Sequence, residues 1–299
     1  MNNDDPWRNA RRNGPAKPAA PRPERGKPAA HKPKPAYVPN LAPRAGEDAR
    51  GPDPRREQRE RETRIFGINA CLAVYQHRPQ AIRKIYVTEG RLDRFRSVLT
   101  WCAGERIGYR IVANSDLDKL TQSQHHEGVC FETIPPTVLT LDELIARNAG
   151  ADQRWLVWLD GVGNPHNLGA ILRSAAHFGC GGLILHRDAI GLSGAACRVA
   201  EGGAEVVPIA RVDDAFDGMA RLKRHGYQGI ATVVRDGADL FGAKLPKHAV
   251  LVMGAESEGM SSSLIAACDQ RLGIPGSGAV ESLNVSAAFA VFAAALAHA

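Results

Sequence analysis

The sequence predicts an α/β fold built on a parallel sheet with helices on both faces. Three observations carry this. Apolar runs of buried-strand length, WLVWLD, GGLILH, YQGIATVV and AVLVMG, recur between residues 155 and 254, and helical patterns separate them. At 299 residues the chain is long enough for a sizeable core, one to two domains and a tail. Its last fifty residues supply two adjacent strand-to-helix bends, which in a parallel sheet lie together at the carboxyl edge.

Residues 1–62 come first. They hold 15 Lys+Arg against 9 Asp+Glu, the rest of the chain holds 23 of each, and so this segment carries the whole formal charge of +6. Twelve of the 19 prolines also lie here. Such a stretch buries too little apolar surface to offset its ordering entropy, so a disordered basic tail is expected. It is either an arm adding sequence-blind affinity for a polyanion or a solvated linker.

From Arg64 the composition turns globular, and residues 63–136 are expected to form a small α/β domain. GINACLAVYQH reads as a helix, RKIYVTE as a strand, LDRFRSVLTWCAGER as a helix, YRIVA as a strand, NSDLDKLTQ as a helix and GVCFET as a last strand. His125-His126-Glu127 does not make a metal site, because adjacent strand residues face opposite ways and no third ligand is in register. Pro135-Pro136 ends the strand and opens a linker, residues 137–154, that holds a short helix, LDELIARN.

Residues 155–299 are the third segment. After WLVWLD, Asp160 to Asn167 reads as a loop, since Asn-Pro and glycine discourage helix until Asn167 caps one. In LGAILRSAAHF, Leu168, Ile171, Leu172, Ala175 and Ala176 make an apolar stripe that leaves Arg173 off it. EVVPIA is expected as a further strand, with helices near Ala189–Glu201 and Asp213–His225. AVLVMG then leads through a glycine bend to a helix starting at Ser261-Ser262-Ser263. A short strand from Leu272 to Pro275 follows, then PGSG, then an Ala-rich helix from Val285 to Leu296 with Asn284 and Ser286 as candidate caps. Gly254, Gly259, Gly276 and Gly278 permit close backbone approach, so the two bends read as a pocket. The six cysteines show neither a CxxC pair nor metal-type spacing with histidine, and reduced buried thiols are expected. Without a signal peptide or a long apolar span, a cytoplasmic location with no membrane and no metal is the expectation.

LVMGAESEGM, then LGIP, then ESLNVSAA, together with DGVGNPHNLGAILRSA upstream, resemble in order the three sequence motifs of the SpoU (TrmH-like) RNA ribose 2′-O-methyltransferases. The motifs span most of residues 155–297. The resemblance implies a SPOUT-type parallel sheet whose carboxyl end forms a trefoil knot, a rare exception to unknotted topology. It implies S-adenosylmethionine as cofactor, ribosomal or transfer RNA as partner, and a homodimer whose active site is completed near the subunit interface. Residues 63–136 resemble the RNA-binding domain that precedes the catalytic domain in many members, with Arg64, Asn69, Arg83, Lys84, Arg91, Arg94 and Arg96 as candidate contacts. Matched position by position, Gly254, Ile274 and Leu283 fall against the cofactor, with Thr232 a further candidate. Arg173 falls on the catalytic arginine, and Asn167, Glu256, Ser282 and Asn284 on residues that position it or the ribose. Ser257 stands where the motif commonly has glycine and Gly276 where a bulkier residue is common, and neither change removes a group that performs chemistry.

Methyl transfer from a sulfonium demands alignment of the 2′-hydroxyl with the methyl carbon and removal of its proton. A guanidinium stays protonated in almost all protein settings, so a charge role is favoured for Arg173, holding phosphate and stabilising alkoxide character, with a role as base left open. The competing function is a non-catalytic RNA-binding or ribosome-associated protein on the same scaffold. A dinucleotide reading of Gly161-Val162-Gly163 fails, because the third glycine of GxGxxG falls on His166.

Overall fold

The computed structural model describes residues 62–299 except 153, 190 and 256–258. The expected disordered tail lies almost wholly outside the described residues, as does Glu256.

The first part of the chain runs β1 (Thr63–Phe66), α1 (Ile68–His77), β2 (Ile82–Val87), α2 (Arg96–Gly104), β3 (Gly108–Ile111), α3 (Asn114–Thr121) and β4 (Val129–Thr133). The strands form a small sheet in the order β1-β4-β2-β3, with β4 antiparallel to both neighbours and β3 parallel to β2. Strand alternation sends Ile65, Ile85, Val87, Val129 and Phe131 to one face, where they pack with Val74, Phe95 and Val98 of the helical layer. Each such side chain stabilises by about 1.5–3 kcal/mol. The other face carries Arg64, Phe66, Lys84, Tyr86, Cys130 and Glu132. Periodicity did not predict β1, since its four residues span too little alternation to stand out.

The chain continues through β5 (Leu139–Thr140), α4 (Leu141–Arg147), β6 (Arg154–Asp160), α5 (Pro165–His177), β7 (Leu183–His186), α6 (Gly194–Ala200), α7 (Gly203–Val206), β8 (Ile209–Val212), α8 (Ala215–Arg224), β9 (Gln228–Thr232), β10 (Ala238–Asp239), β11 (His248–Gly254), α9 (Ser262–Ala267), β12 (Gln270–Gly273) and α10 (Val285–Ala297). The large sheet has the order β10-β12-β9-β11-β6-β7-β8-β5, and every pairing is parallel. Along β6, Trp155, Val157 and Leu159 join the core beneath α5 and α10, while Leu156 and Trp158 join a second core with Leu144, Leu222 and Leu264 of α4, α8 and α9. This two-sided burial explains why the strands read as continuous apolar runs.

Two local readings need correction. Helix α5 starts at Pro165, not after Asn167: the Asn164 side chain accepts the His166 N–H at 2.8 Å, and proline suits the first helical position because its missing N–H would lack a partner there anyway. Glu205 and Val206 belong to α7 rather than to a strand, and β8 begins only after Pro208, which cannot donate to a sheet ladder.

Candidate functional site

Thr232, Gly254 and Gly273 end β9, β11 and β12, so their carboxyl ends lie along one edge of the large sheet. The bend after β11 doubles back tightly. A Cβ on Gly254 would strike the backbone of Gly259 and Met260, so this approach needs glycine. Ala255 and Gly259 exchange backbone hydrogen bonds of 3.1 and 2.9 Å across the bend. Asp160, at the end of β6, accepts the Ser261 N–H at 2.8 Å and ties the bend to the neighbouring strand.

The second bend runs from Ile274 to Asn284 and enters α10. Asn284 caps that helix: its Oδ1 accepts the Ser286 N–H at 2.9 Å and the Ser286 hydroxyl at 2.6 Å. Its Nδ2 donates to Oδ1 of the buried Asn167 at 3.1 Å, fastening the start of α10 to the first turn of α5.

Between the bends lie two adjoining cavities of about 390 and 370 Å³. Ile274, Val280 and Phe292 line the first, Met253, Gly254 and Met260 the second, and Thr232, Ser282 and Leu283 line both. Leu283 is 48% and Val280 71% exposed, so apolar surface faces the opening. Each cavity has the size of a small-molecule site, and its backbone groups and apolar walls suit a flat heterocycle held by its edge and faces. Thr232, Gly254, Ile274, Ser282, Leu283 and Asn284 therefore stand together, and Asn167 joins them through Asn284.

Arg173 does not line either cavity. It is exposed on α5, and helix geometry places it about 120° around the axis from Asn167. Its backbone packs against α7, where a Cβ on Gly203 would come within 2.6 Å of the Leu172 carbonyl oxygen and 3.1 Å of the Arg173 Cα. Among the described residues its side chain has neither a hydrogen bond nor an ion pair. Of the candidate RNA contacts, Asn69 donates to Glu201 at 2.5 Å, Arg91 to the Glu127 carbonyl at 2.9 Å, and Arg96 pairs with Asp93 at 2.6 Å. Arg64 and Lys84 line a groove along the open face of the small sheet.

Sequence reasoning missed Asp160, Met260, Val280 and Phe292. Only Asp160 carried a signal, as a carboxylate at a strand end before glycine. Among the described residues no group of three or more His, Cys, Asp and Glu side chains could hold a metal ion, and no helix is long and apolar enough to cross a membrane.

Residues 154–294 match the profile of the SpoU rRNA Methylase family, and residues 64–139 match that of the RNA 2′-O ribose methyltransferase substrate binding domain. The chain is 38% identical over 240 residues to the uncharacterized tRNA/rRNA methyltransferase YfiF of Escherichia coli O157:H7, covering 80% of this chain and 69% of that one. It is 37% identical over 230 residues to the 23S rRNA (guanosine-2′-O-)-methyltransferase RlmB of Photorhabdus laumondii, covering 76% and 94% respectively. Its fold is similar to that of the SpoU methyltransferase AviRb from Streptomyces viridochromogenes, solved in complex with AdoMet, with a TM-score of 0.68 at 20% identity over 83% of this chain and 93% of that one.

Proposed function

The chain belongs to the SpoU rRNA methylase family, and on that premise we propose that it transfers a methyl group from S-adenosylmethionine to a ribose 2′-hydroxyl of ribosomal or transfer RNA. The observation that carries this is the meeting of Thr232, Gly254, Ile274 and Leu283 around adjoining cavities at the carboxyl edge of a parallel sheet. The residues fit the cofactor: Ile274 and Leu283 offer apolar walls for the adenine, and the glycine bend brings peptide groups to its edge. Bound there, S-adenosylmethionine would supply an electrophilic methyl carbon whose leaving group is a neutral thioether.

The chain's own residues then have to orient the ribose and stabilise charge at its 2′-oxygen. Arg173, exposed and without a partner among the described residues, is free to hold an RNA phosphate and the developing alkoxide. Asn167 and Asn284 fix the relative placement of α5 and α10, and Ser282 supplies a hydroxyl at the cavity wall. Because Arg173 lines neither cavity of its own chain, the reading includes a homodimer in which Arg173 of one copy faces the cavity of the other. The exposed Val280 and Leu283 support such contact. Residues 63–136 are the RNA-holding domain and 155–299 the transferase, the intervening 137–154 being packed onto the transferase sheet through β5 and α4, and the cytoplasm is the location that goes with this reading. The return of residues 274–284 past the Gly254 bend supports a knotted carboxyl end.

The test is methyl transfer from tritiated S-adenosylmethionine to unmodified ribosomal and transfer RNA transcripts, with the label mapped to base or ribose. Label at a ribose 2′-oxygen is expected, reduced on the order of a hundredfold or more in Arg173→Ala. Label on a base, or full activity in the variant, contradicts the reading.

A further inference from the structure

A second concavity, larger than either cavity above, opens elsewhere on the molecule. It has a volume of about 980 Å³ and is walled on one side by Arg64, Lys84 and Tyr86 of the small sheet and on the other by His166, Ser193 and Arg198 at the starts of α5 and along α6. Strand alternation explains its floor. Helices α1 and α2 cover the opposite sheet face, whereas on this one Phe66 and Cys130 pack with Leu117 of α3 and Ala195 of α6, leaving the strip that bears Arg64, Lys84, Tyr86 and Glu132 uncovered.

We propose that this groove takes a single-stranded segment of the RNA substrate flanking the nucleotide to be methylated, with Lys84 on a phosphate and Tyr86 against a base. The proposal rests on the RNA methylation reading above. Three features support it.

The first is charge. Arg64 and Lys84 face Glu62 and Glu132, Glu132 is held by Arg64 at 3.5 Å, and Arg198 at the far wall is paired with Glu127 at 3.7 Å. Lys84 has no ion pair among the described residues, and its Nζ lies 4.9 Å from the centre of the Tyr86 ring. A cation beside an aromatic face on an open sheet is the combination that binds a phosphate and an unstacked base together. The second is form. A groove floored by a sheet and walled by two helix starts admits one strand, whereas a duplex is read across its broad minor groove. The third is position. His166 and Arg173 share the solvent face of α5, seven residues and about 10 Å apart. A strand leaving the groove past His166 therefore runs toward the guanidinium of the same chain, whichever copy's cavity that guanidinium serves.

Fluorescence anisotropy of a labelled oligouridine of about twelve nucleotides tests this across a salt series, with full-length protein and variants. Lys84→Gln is expected to weaken binding about threefold to tenfold and to flatten the salt slope by about 0.7. Tyr86→Leu keeps the packing against Phe66 and Leu117, and is expected to weaken binding about fivefold or more with the slope unchanged. Arg224→Gln removes an equal charge from α8, on the far face of the large sheet, and is expected to bind like the parent. Wild-type affinity in both groove variants overturns the proposal, as does tighter binding of a duplex of the same length or no binding by the parent. S-adenosylmethionine titration of the same preparations checks their folding and separates the two claims. Methyl transfer that survives with groove variants of unchanged affinity refutes the groove alone, and oligouridine binding through the groove without uptake of S-adenosylmethionine refutes the methylation reading alone.

Discussion

Asn284 illustrates how much one side chain does here. It caps the 13-residue α10 through Ser286 and grips Asn167 on α5, so Asn284→Ala removes a cap and leaves a buried amide short of one bond. A loss of about 1 kcal/mol follows from the cap, which calorimetry would read as a fall of about 2–4 °C in Tm. The asparagine was visible in the sequence as a cap; its second bond, to a residue 117 positions away, had no local signal. The cysteines give a prediction in pH. Burial pushes the thiols of Cys130, Cys180 and Cys197 up to about 12. The folded chain thus keeps these protons where the unfolded chain has lost them. This contribution to stability is complete below the unfolded value, about 8.5, and is lost as pH rises toward 12. Urea midpoints measured above pH 9 should fall more steeply in the parent than in a variant with these three cysteines changed to alanine. Alkylation of the native protein near pH 8 should be slow beside that of the urea-unfolded chain.

Elements were legible in proportion to their length. The stripe of α5 spans three turns and announced itself, and the seven-residue β6 and β11 stood out as apolar runs because both their faces are buried. β5 and β10 have two residues each and offer no period to detect. α7 was hidden because Val206 and Val207 favour strand, and tertiary packing overrides that preference: Gly203 brings the helix onto the backbone of Leu172 and Arg173. The bend after β11 depends in the same way on Gly254, whose identity the sequence supplied but whose collision partners, Gly259 and Met260, only the fold reveals. Gly254→Ala should therefore displace the bend and weaken S-adenosylmethionine binding by tenfold or more on the order of the 1–3 kcal/mol cost of such overpacking. Equilibrium dialysis would register it, and unchanged affinity would mean that the bend is not part of the site.

At the scale of the whole molecule, the small and large sheets are joined by polar contacts that no periodicity encodes. Arg78 and Glu205 meet through paired bonds of 2.5 and 3.0 Å, and the Glu205 side chain is only 2% exposed. Glu205→Ala strands a partly buried guanidinium, and a loss of about 3 kcal/mol is expected as a lower urea midpoint at unchanged slope. The groove residues likewise lie far apart in the chain, at 64, 84 and 198, and only strand register and helix packing bring them together. A site shared between two copies makes a further prediction: Arg173→Ala and Leu283→Arg, each inactive alone, should recover about a quarter of parental activity when allowed to exchange subunits, since half the dimers are mixed and each holds one intact site. Recovery of none would place both residues in one chain's site. That the bends after β11 and β12 enclose a methyl donor is tested most directly by isothermal titration of S-adenosylmethionine into the parent and into Leu283→Arg, which puts a cation where the sulfonium compound has to enter. Saturable heat in the parent and its loss in the variant is the predicted result, and no saturable heat in the parent, or equal affinity in both, would contradict it.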